Sequence, residues 1–555
     1  MELLVVGVLG LLGIAAATAI GPRLGVASPL LLVIVGIVVS FLPFVPDFEV
    51  DPEWILAGVL PPLLYSASVS MPSMEFRREF GVISGLSVGL VIVSSVLIGL
   101  LFTSIVPGIG LAAGIALGAI VSPTDAVATS IVKRVGVTPR IVTVLEGESL
   151  LNDATALVLL RSAIVAAGAS VTFWEVVGDF VFAVVVAVAI GYLVGKANLW
   201  IRARVTDAAV NTVISFAVPF VAAVPSEQLG ASGLVAAVVA GLVTGRGAPR
   251  SLSPQHRLSD AQNWRTVELI LEGGVFLVMG LELSAIIGDL QTGRRTIELG
   301  AVLALIALVA VIAVRVLYLI PALALEHLGY RRSMSMRPRL TAMDERLGAA
   351  ETVRRGDRGI SAESRRRFQS RIRRKVADID YFMAVPLGWR EGSVIAWAGM
   401  RGAVTLAAAQ TLPQTTPDRS LIVFIAFLVA AGSLIIQGGT LPLLVRIVKP
   451  AGIDRQAAKA EHQALSDLLR GVADDVIQED RAAAAEASSG DDSHVTSGRE
   501  PFHVLRLRTI AAQRDALLEV RDEGRFSASV LTGALEALDA EQITMELLAE
   551  HHDDA

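Results

Sequence analysis

From its first residue to about Val448 the chain alternates long apolar runs with short polar punctuation. Each run is roughly 18–25 residues long, enough to cross a ~30 Å hydrocarbon core as an α-helix. The runs do not alternate with period two, which argues against a membrane β-barrel. About thirteen spans are predicted, near 3–21, 26–45, 53–70, 80–106, 109–131, 144–168, 173–196, 207–225, 229–246, 263–287, 297–325, 391–412 and 419–447. Pro107-Gly108, Pro225-Ser226 and Pro413-Gln414 mark turns between them. The first run opens with Glu2 and has no basic residue ahead of it, so it is expected to be a retained span rather than a cleaved leader.

Composition supports this pattern. Hydrophobic residues make up 53% of the chain and charged residues 18%, against about 25% charged in soluble domains. The absence of cysteine excludes disulfides, thiolate chemistry and Cys-bound metals. The distribution of Lys and Arg orients the spans. With the N-terminus outside, Arg77, Arg78, Lys133, Arg134, Arg140, Lys196, Arg202, Arg204, Arg246, Arg250 and Arg257 fall in the cytoplasm; Arg294 and Arg295 disagree. The segment 329–390 reads as a basic cytoplasmic loop, with sixteen Lys and Arg against seven Asp and Glu. It suits either a solvated positive-inside loop or contact with anionic lipid. Residues 1–448 are read as the membrane domain and 449–555 as an acidic cytoplasmic tail. The tail has two amphipathic helical stretches, near 454–486 and 502–550, joined by a polar linker at 488–493. It is a regulatory or packing module, or a partly disordered one.

In lipid the informative residues are the polar ones, because an ionisable group at mid-span is costly and usually faces an interior cavity. Span 5 carries Ser122-Pro123-Thr124-Asp125. Pro123 has no N–H, so the carbonyl of Ala119 loses its helical partner and the helix is expected to break. A break at this depth needs protein, water or an ion around it. The Thr124 hydroxyl, freed carbonyls and the Asp125 carboxylate would form an oxygen cage for a hard cation.

Span 6 carries Glu148-Ser149-Leu150-Leu151-Asn152-Asp153. At 100° per residue, Glu148 and Asn152 share one stripe, and Ser149 and Asp153 the next. The Ser149/Asp153 edge can face a cation while the Glu148/Asn152 edge faces a partner helix. Glu146, nearer the cytoplasm, would line an entrance. Span 12 carries Gly399-Met400-Arg401-Gly402. Arg401 stays charged and needs an anion. Glu148 is the expected partner, which would leave Asp153 free; Asp125 and Asp153 are the competing partners. Glu272 on span 10 and Arg315 on span 11 are expected as a structural pair, or else as part of the ion path.

These strings resemble the monovalent cation:proton antiporters of the NhaP/NHE type. The resemblance rests on residues 122–128, 146–154 and 397–406, with Leu60-Pro61-Pro62-Leu63-Leu64-Tyr65 and the Glu272…Phe276…Gly280 spacing in agreement. It covers about residues 1–448, but not 333–385 or the tail. It implies an all-α polytopic fold of thirteen spans with an inverted repeat, in which spans 5 and 12 are interrupted and cross. It also implies a dimerisation part and a mobile core part, hence a homodimer in the cell membrane. Asp153 would bind cation or proton, with Asp125, Ser149 and Thr124 nearby and Na+ held at Asp153 and Asp125. The Asn152-Asp153 pair, where charge-moving relatives carry Asp-Asp, implies one-for-one exchange. One departure is Ser66: many relatives carry an acid there, so the ion site is expected to have one carboxylate fewer.

The substrates expected are Na+, or Li+ or K+, and H+, with the lipid bilayer as surroundings and no nucleic acid or cofactor. An enzyme is not expected, because the chain has no phosphate loop, no His-rich metal spacing and no nucleophile–base pairing. A cation channel or a sensor acting through the tail is the remaining alternative, and no selectivity filter is recognisable.

Overall fold

The structure is a computed structural model that describes residues 2–43, 50–168, 173–292, 296–349, 362–452, 454–488 and 501–553. Arg294, Arg295, most of the tail linker and the side chains of Arg365, Arg366 and Arg367 lie outside the described residues. Among the described residues the chain is helical with no strand, only an isolated bridge between Val137 and Gly452.

In chain order the helices are α1 (Glu2–Leu24), α2 (Ser28–Ser40), α3 (Leu60–Ser70), α4 (Ser73–Ser84), α5 (Val91–Ile105), α6 (Leu111–Val121), α7 (Val127–Val135) and α8 (Pro139–Gly168). Then come α9 (Phe173–Arg202), α10 (Ala208–Gln228), α11 (Gly233–Ser251), α12 (Pro254–Leu281), α13 (Leu283–Thr292) and α14 (Ile297–Ala349). The last are α15 (Ala362–Ala384), α16 (Trp389–Trp397), α17 (Ala403–Gln410), α18 (Arg419–Val448), α19 (Arg455–Ser488), α20 (Phe502–Glu523) and α21 (Ala528–Asp553). Seven helical runs among the described residues are long and apolar enough to cross a membrane, and shorter apolar helices accompany them. Two segments that read as single spans are each split into half-helices, α6/α7 at 122–126 and α16/α17 at 398–402.

Local chemistry accounts for several irregularities. A wide π-turn at Trp54–Val59 leads into Pro61-Pro62, which cannot donate to the preceding turn. A second π-turn, Gly85–Leu90, sits where the Tyr318 hydroxyl donates to the Gly85 carbonyl at 2.8 Å. A side chain inserted into the helical ladder widens it in this way. Helices α2 and α12 cross at paired glycines, where a Cβ on Gly36 would lie 2.9 Å from the Gly280 Cα. Such close approach is how apolar helices gain contact in lipid.

The chain divides into two compact units. The first comprises Met1–Leu252, His256–Leu325 and Leu387–Gly452. Its outer helix α9 exposes Val181, Phe182, Val185 and Leu193, which suits lipid and would be unfavourable in water. Its inner helix α18 is mostly buried and packs on α6, α7, α13, α16 and α17.

The second unit comprises Ser253–Gln255, Glu326–Pro386 and Ile453–Ala555. Leu465, Ile510, Leu517, Phe526, Leu531 and Leu538 form its core. The basic segment expected as a loop is largely helical, in the end of α14 and in α15. Arg337–Asp380 and Arg373–Asp344 ion pairs join those two helices, and Arg374 donates to the Asp522 carbonyl. The dense positive charge there hides a helical stripe marked by buried Ile372 and Ile379.

Candidate functional site

The two interruptions cross. The Asp125 N–H donates to the Met400 carbonyl at 2.7 Å, joining 122–126 to 398–402. Pro123 ends α6 as expected, and the exposed backbone groups then have to be satisfied one by one.

Arg401 meets the C-terminal ends of two half-helices. Its Nε donates to the Val121 carbonyl at 2.9 Å and its Nη1 to the Gly399 carbonyl. Gln437 donates to the Trp397 carbonyl at 3.1 Å, and Ser433 accepts from the Arg401 N–H at 2.8 Å. A cation at helix C-termini is electrostatically favourable. Asp125 sits at the opposite kind of end. Its Oδ1 accepts from the Val127 N–H at the start of α7. Its Oδ2 occupies the place where a Cβ on Gly402, at the start of α17, would lie. Only glycine at position 402 leaves room for that carboxylate.

Glu148 has a different partner from the one expected. Both carboxylate oxygens are bound by Arg315, with Nη2 to Oε2 at 2.7 Å, and both residues are 1% exposed. Arg315 also donates to the Ile395 carbonyl from Nε and Nη2, at 3.1 and 3.0 Å. Gly399 makes room, since a Cβ there would lie 2.6 Å from the Arg315 Nε. The expected Glu148–Arg401 and Glu272–Arg315 pairs are therefore corrected. Arg401 is tethered inside the break, next to carbonyls that lack helical partners, and those carbonyls take its guanidinium.

From Glu148 the network runs inward. Thr124 Oγ1 donates to Glu148 Oε1 at 3.1 Å, and Asn152 Nδ2 donates to Thr124 Oγ1 at 2.7 Å and to the Thr124 carbonyl at 3.1 Å. Glu148 and Asn152 thus face the break together, as their shared stripe predicts. The next stripe faces open space. Asp153 and Ser149 line a cavity of about 380 Å³ with Asp125, Thr124, Glu146, Glu272 and Thr405. Asp153 is 8% exposed and makes no hydrogen bond or ion pair with the described residues. Ser149 donates to the Glu146 carbonyl at 3.0 Å, and the Glu146 carboxylate pairs with Lys133.

Asn152 and Ser66 do not line the cavity, nor do Glu148, Arg315 and Arg401. Ser66 is buried, with its hydroxyl beside Glu268. Sequence reasoning missed Glu268, Lys133, Thr129 and Thr405, all of which line the cavity. The available signal was the i, i+4 spacing of Glu268 and Glu272, which puts both on one face of α12.

Crossed half-helices around a carboxylate-lined cavity are an arrangement that membrane ion transporters use at their binding sites. Comparison with known proteins supplies the family. The transmembrane sodium/hydrogen exchanger family matches residues 10–341 and 374–447, and the chain belongs to it. An uncharacterised Na+/H+ exchanger of Mycobacterium bovis is 29% identical over 98% of this chain and 97% of its own length. The Escherichia coli exchanger YjcE is 30% identical over 77% of this chain and 73% of its own. A sodium, potassium, lithium and rubidium/H+ antiporter of Bacillus subtilis is 31% identical over 47% of this chain and 40% of its own. The sodium proton antiporter MjNhaP1 of Methanocaldococcus jannaschii shares the fold, with a TM-score of 0.57 at 17% identity, covering 81% of this chain and 99% of that one. The chain is a multi-pass membrane antiporter that exchanges a monovalent cation for a proton.

Proposed function

We propose that this antiporter exchanges Na+ for H+ one for one, with both ions competing at Asp153 beside Asp125. The observation that carries this reading is Asp153 itself, a buried carboxylate that faces the cavity and has no hydrogen-bond or ion-pair partner among the described residues. A bare carboxylate is costly to move past an apolar barrier. Either a proton or a cation neutralises it, and the site crosses only in one of those two forms. Exchange follows, and the ion gradients set its direction, normally cation out and proton in.

Asp125, Thr124 and Ser149 supply oxygens around the bound ion. Asn152 brings no charge, because a carboxamide does not ionise, and its amide is tied to Thr124. A single titrating carboxylate per cycle supports electroneutral turnover. Glu148, Arg315 and Arg401 hold the broken helices in place and do not touch the ion.

The distribution of Lys and Arg supports an N-terminus outside, a tail in the cytoplasm and insertion in the cell membrane. Residues 1–448 carry the exchange, as a homodimer in keeping with the family resemblance.

A second reading, K+/H+ exchange at the same site, is favoured by the broad cation range in the name of the Bacillus subtilis relative. Reconstituted exchange with Na+, Li+ and K+ in turn, with the membrane potential clamped at several values, tests both. Na+-driven proton flux that does not vary with potential is expected. Flux that follows the potential would refute one-for-one exchange, and flux with K+ alone would favour the second reading.

A further inference from the structure

The helices that line the cavity continue past it, and polar contacts tie them together at the end away from its mouth. Lys133, 57% exposed, and Glu146 mark that mouth, beside the turn that joins α7 to α8. The isolated bridge pairs Val137 in this turn with Gly452, just beyond the end of α18. Helix α18 has 30 residues and is about 45 Å long, so its start lies at the opposite end. There Arg419 donates to the carbonyls of Gln410 and Leu412 at 2.9 and 2.8 Å, which places the end of α17 at this far end as well. On α8, Arg161 lies about 33 Å along the axis from Pro139, with Asp153 between it and Glu146. Two contacts bridge separate helices at the far end. Arg161 pairs with Glu227 on α10 at 2.8 Å, and the other Glu227 oxygen accepts from the Gly233 N–H at 2.9 Å. Glu282, between α12 and α13, accepts from the Gln410 amide on α17 and from the Val50 N–H, both at 3.1 Å, and is 1% exposed. Between Glu282 and the cavity-lining Phe276, α12 carries buried Met279. Between Gln410 and the cavity-lining Thr405, α17 carries buried Leu406. The cavity thus ends in apolar packing with a polar tie beyond it.

We propose that Arg161–Glu227 and Glu282–Gln410 form a clasp that closes the far end of the cavity and opens once in each exchange cycle. Asp153 has to meet both sides of the membrane in turn. While the clasp holds, α8, which carries Asp153, cannot part from α10, and α17 cannot part from α12. The chemistry suits a tie that can be released. Arg161 and Glu227 are solvent-exposed, and such pairs contribute little to stability. Glu282 exchanges its amide donors for water on opening, so the hydrogen bonds it gives up are replaced. Closure of such an element commits a bound ion to one side, and its release sets when the site is presented to the other. This inference rests on the proposed cation/proton exchange and names the residues that control its second opening.

The chain has no cysteine, so paired substitutions supply the only thiols. The test uses the full chain in proteoliposomes, as Arg161→Cys/Glu227→Cys and as Glu282→Cys/Gln410→Cys. Each pair is bridged with a short bis-methanethiosulfonate reagent, and Na+-driven proton flux is read before bridging, after bridging and after release with dithiothreitol. Arg161→Cys alone, treated with the same reagent, is the reference. Before bridging, Arg161→Cys/Glu227→Cys should keep flux within about threefold of wild type, because an exposed ion pair contributes little. Bridging either pair should lower flux at least roughly tenfold relative to the reference, and release should restore it. A contact that only stabilises the fold would give neither the loss nor the recovery. Where the Glu282 variant folds poorly, the exposed Arg161/Glu227 pair decides the matter. Bridged protein with flux within about twofold of its released form overturns the clasp, as does failure of both pairs to bridge. Failure of the wild-type protein to couple Na+ to proton flux would instead refute the exchange reading itself.

Discussion

The two interrupted helices cross at one point, yet they solve the same problem with opposite charges. The break at 122–126 carries a carboxylate, Asp125, at the N-terminal ends of α7 and α17. The break at 398–402 carries a guanidinium, Arg401, at the C-terminal ends of α6 and α16. Each charge opposes the helix dipoles it faces. The difference lies in what each can still bind. Arg401 is consumed by carbonyls and is 2% exposed, away from the cavity. Asp125 spends one oxygen on Val127 and lines the cavity beside Asp153. In the proposed exchange one break is scaffold, and the other is part of the site.

This contrast can be broken from either side. The largest stability effect is expected from Arg315→Ala, which leaves Glu148 charged and unpaired in the interior. Breaking a buried pair from one side costs about 3–5 kcal/mol, read as a lower detergent melting temperature and lower yield. A melting temperature equal to wild type would remove the Glu148–Arg315 pair from the scaffold.

Next is Gly402→Ala, whose Cβ would occupy the position of the Asp125 carboxylate. Displacing a reacting group by about an ångström lowers turnover on the order of 100-fold. Exchange assays on this variant should show that loss while the protein still inserts and purifies.

A smaller effect is expected from Arg401→Lys. The charge at the helix ends remains, but an ammonium lacks the planar fork that reaches both Val121 and Gly399. One orphaned carbonyl costs roughly 1–3 kcal/mol, so melting should shift while the KM for Na+ holds. A shifted KM with unchanged melting would move Arg401 from scaffold to site.

Much of this arrangement was legible in the sequence because it is local. Pro123 sets one break, and helical periodicity alone separates the Glu148/Asn152 stripe from the Ser149/Asp153 stripe. Partner choice was not legible. Arg315 and Arg401 are both single cations in apolar helices, and only the fold decides which reaches a carboxylate 167 positions away in the chain. The stronger local demand came from the carbonyls of the second break, which lie closest to Arg401. Glu268 was passed over because nothing in the chain shows that α12 turns that face toward the cavity. The segment 329–390 misled for another reason: its charge density resembles a solvated loop, although ion pairs between α14 and α15 stabilise it as helix.

The central claim is that Asp153 alone exchanges cation for proton. Its most direct test is Na+-driven proton flux in proteoliposomes containing either wild type or Asp153→Asn, at matched protein content and matched melting temperature. Wild type should acidify or alkalinise the lumen according to the Na+ gradient, and Asp153→Asn should give no flux above empty liposomes. Sodium-dependent proton flux retained by Asp153→Asn would contradict the account.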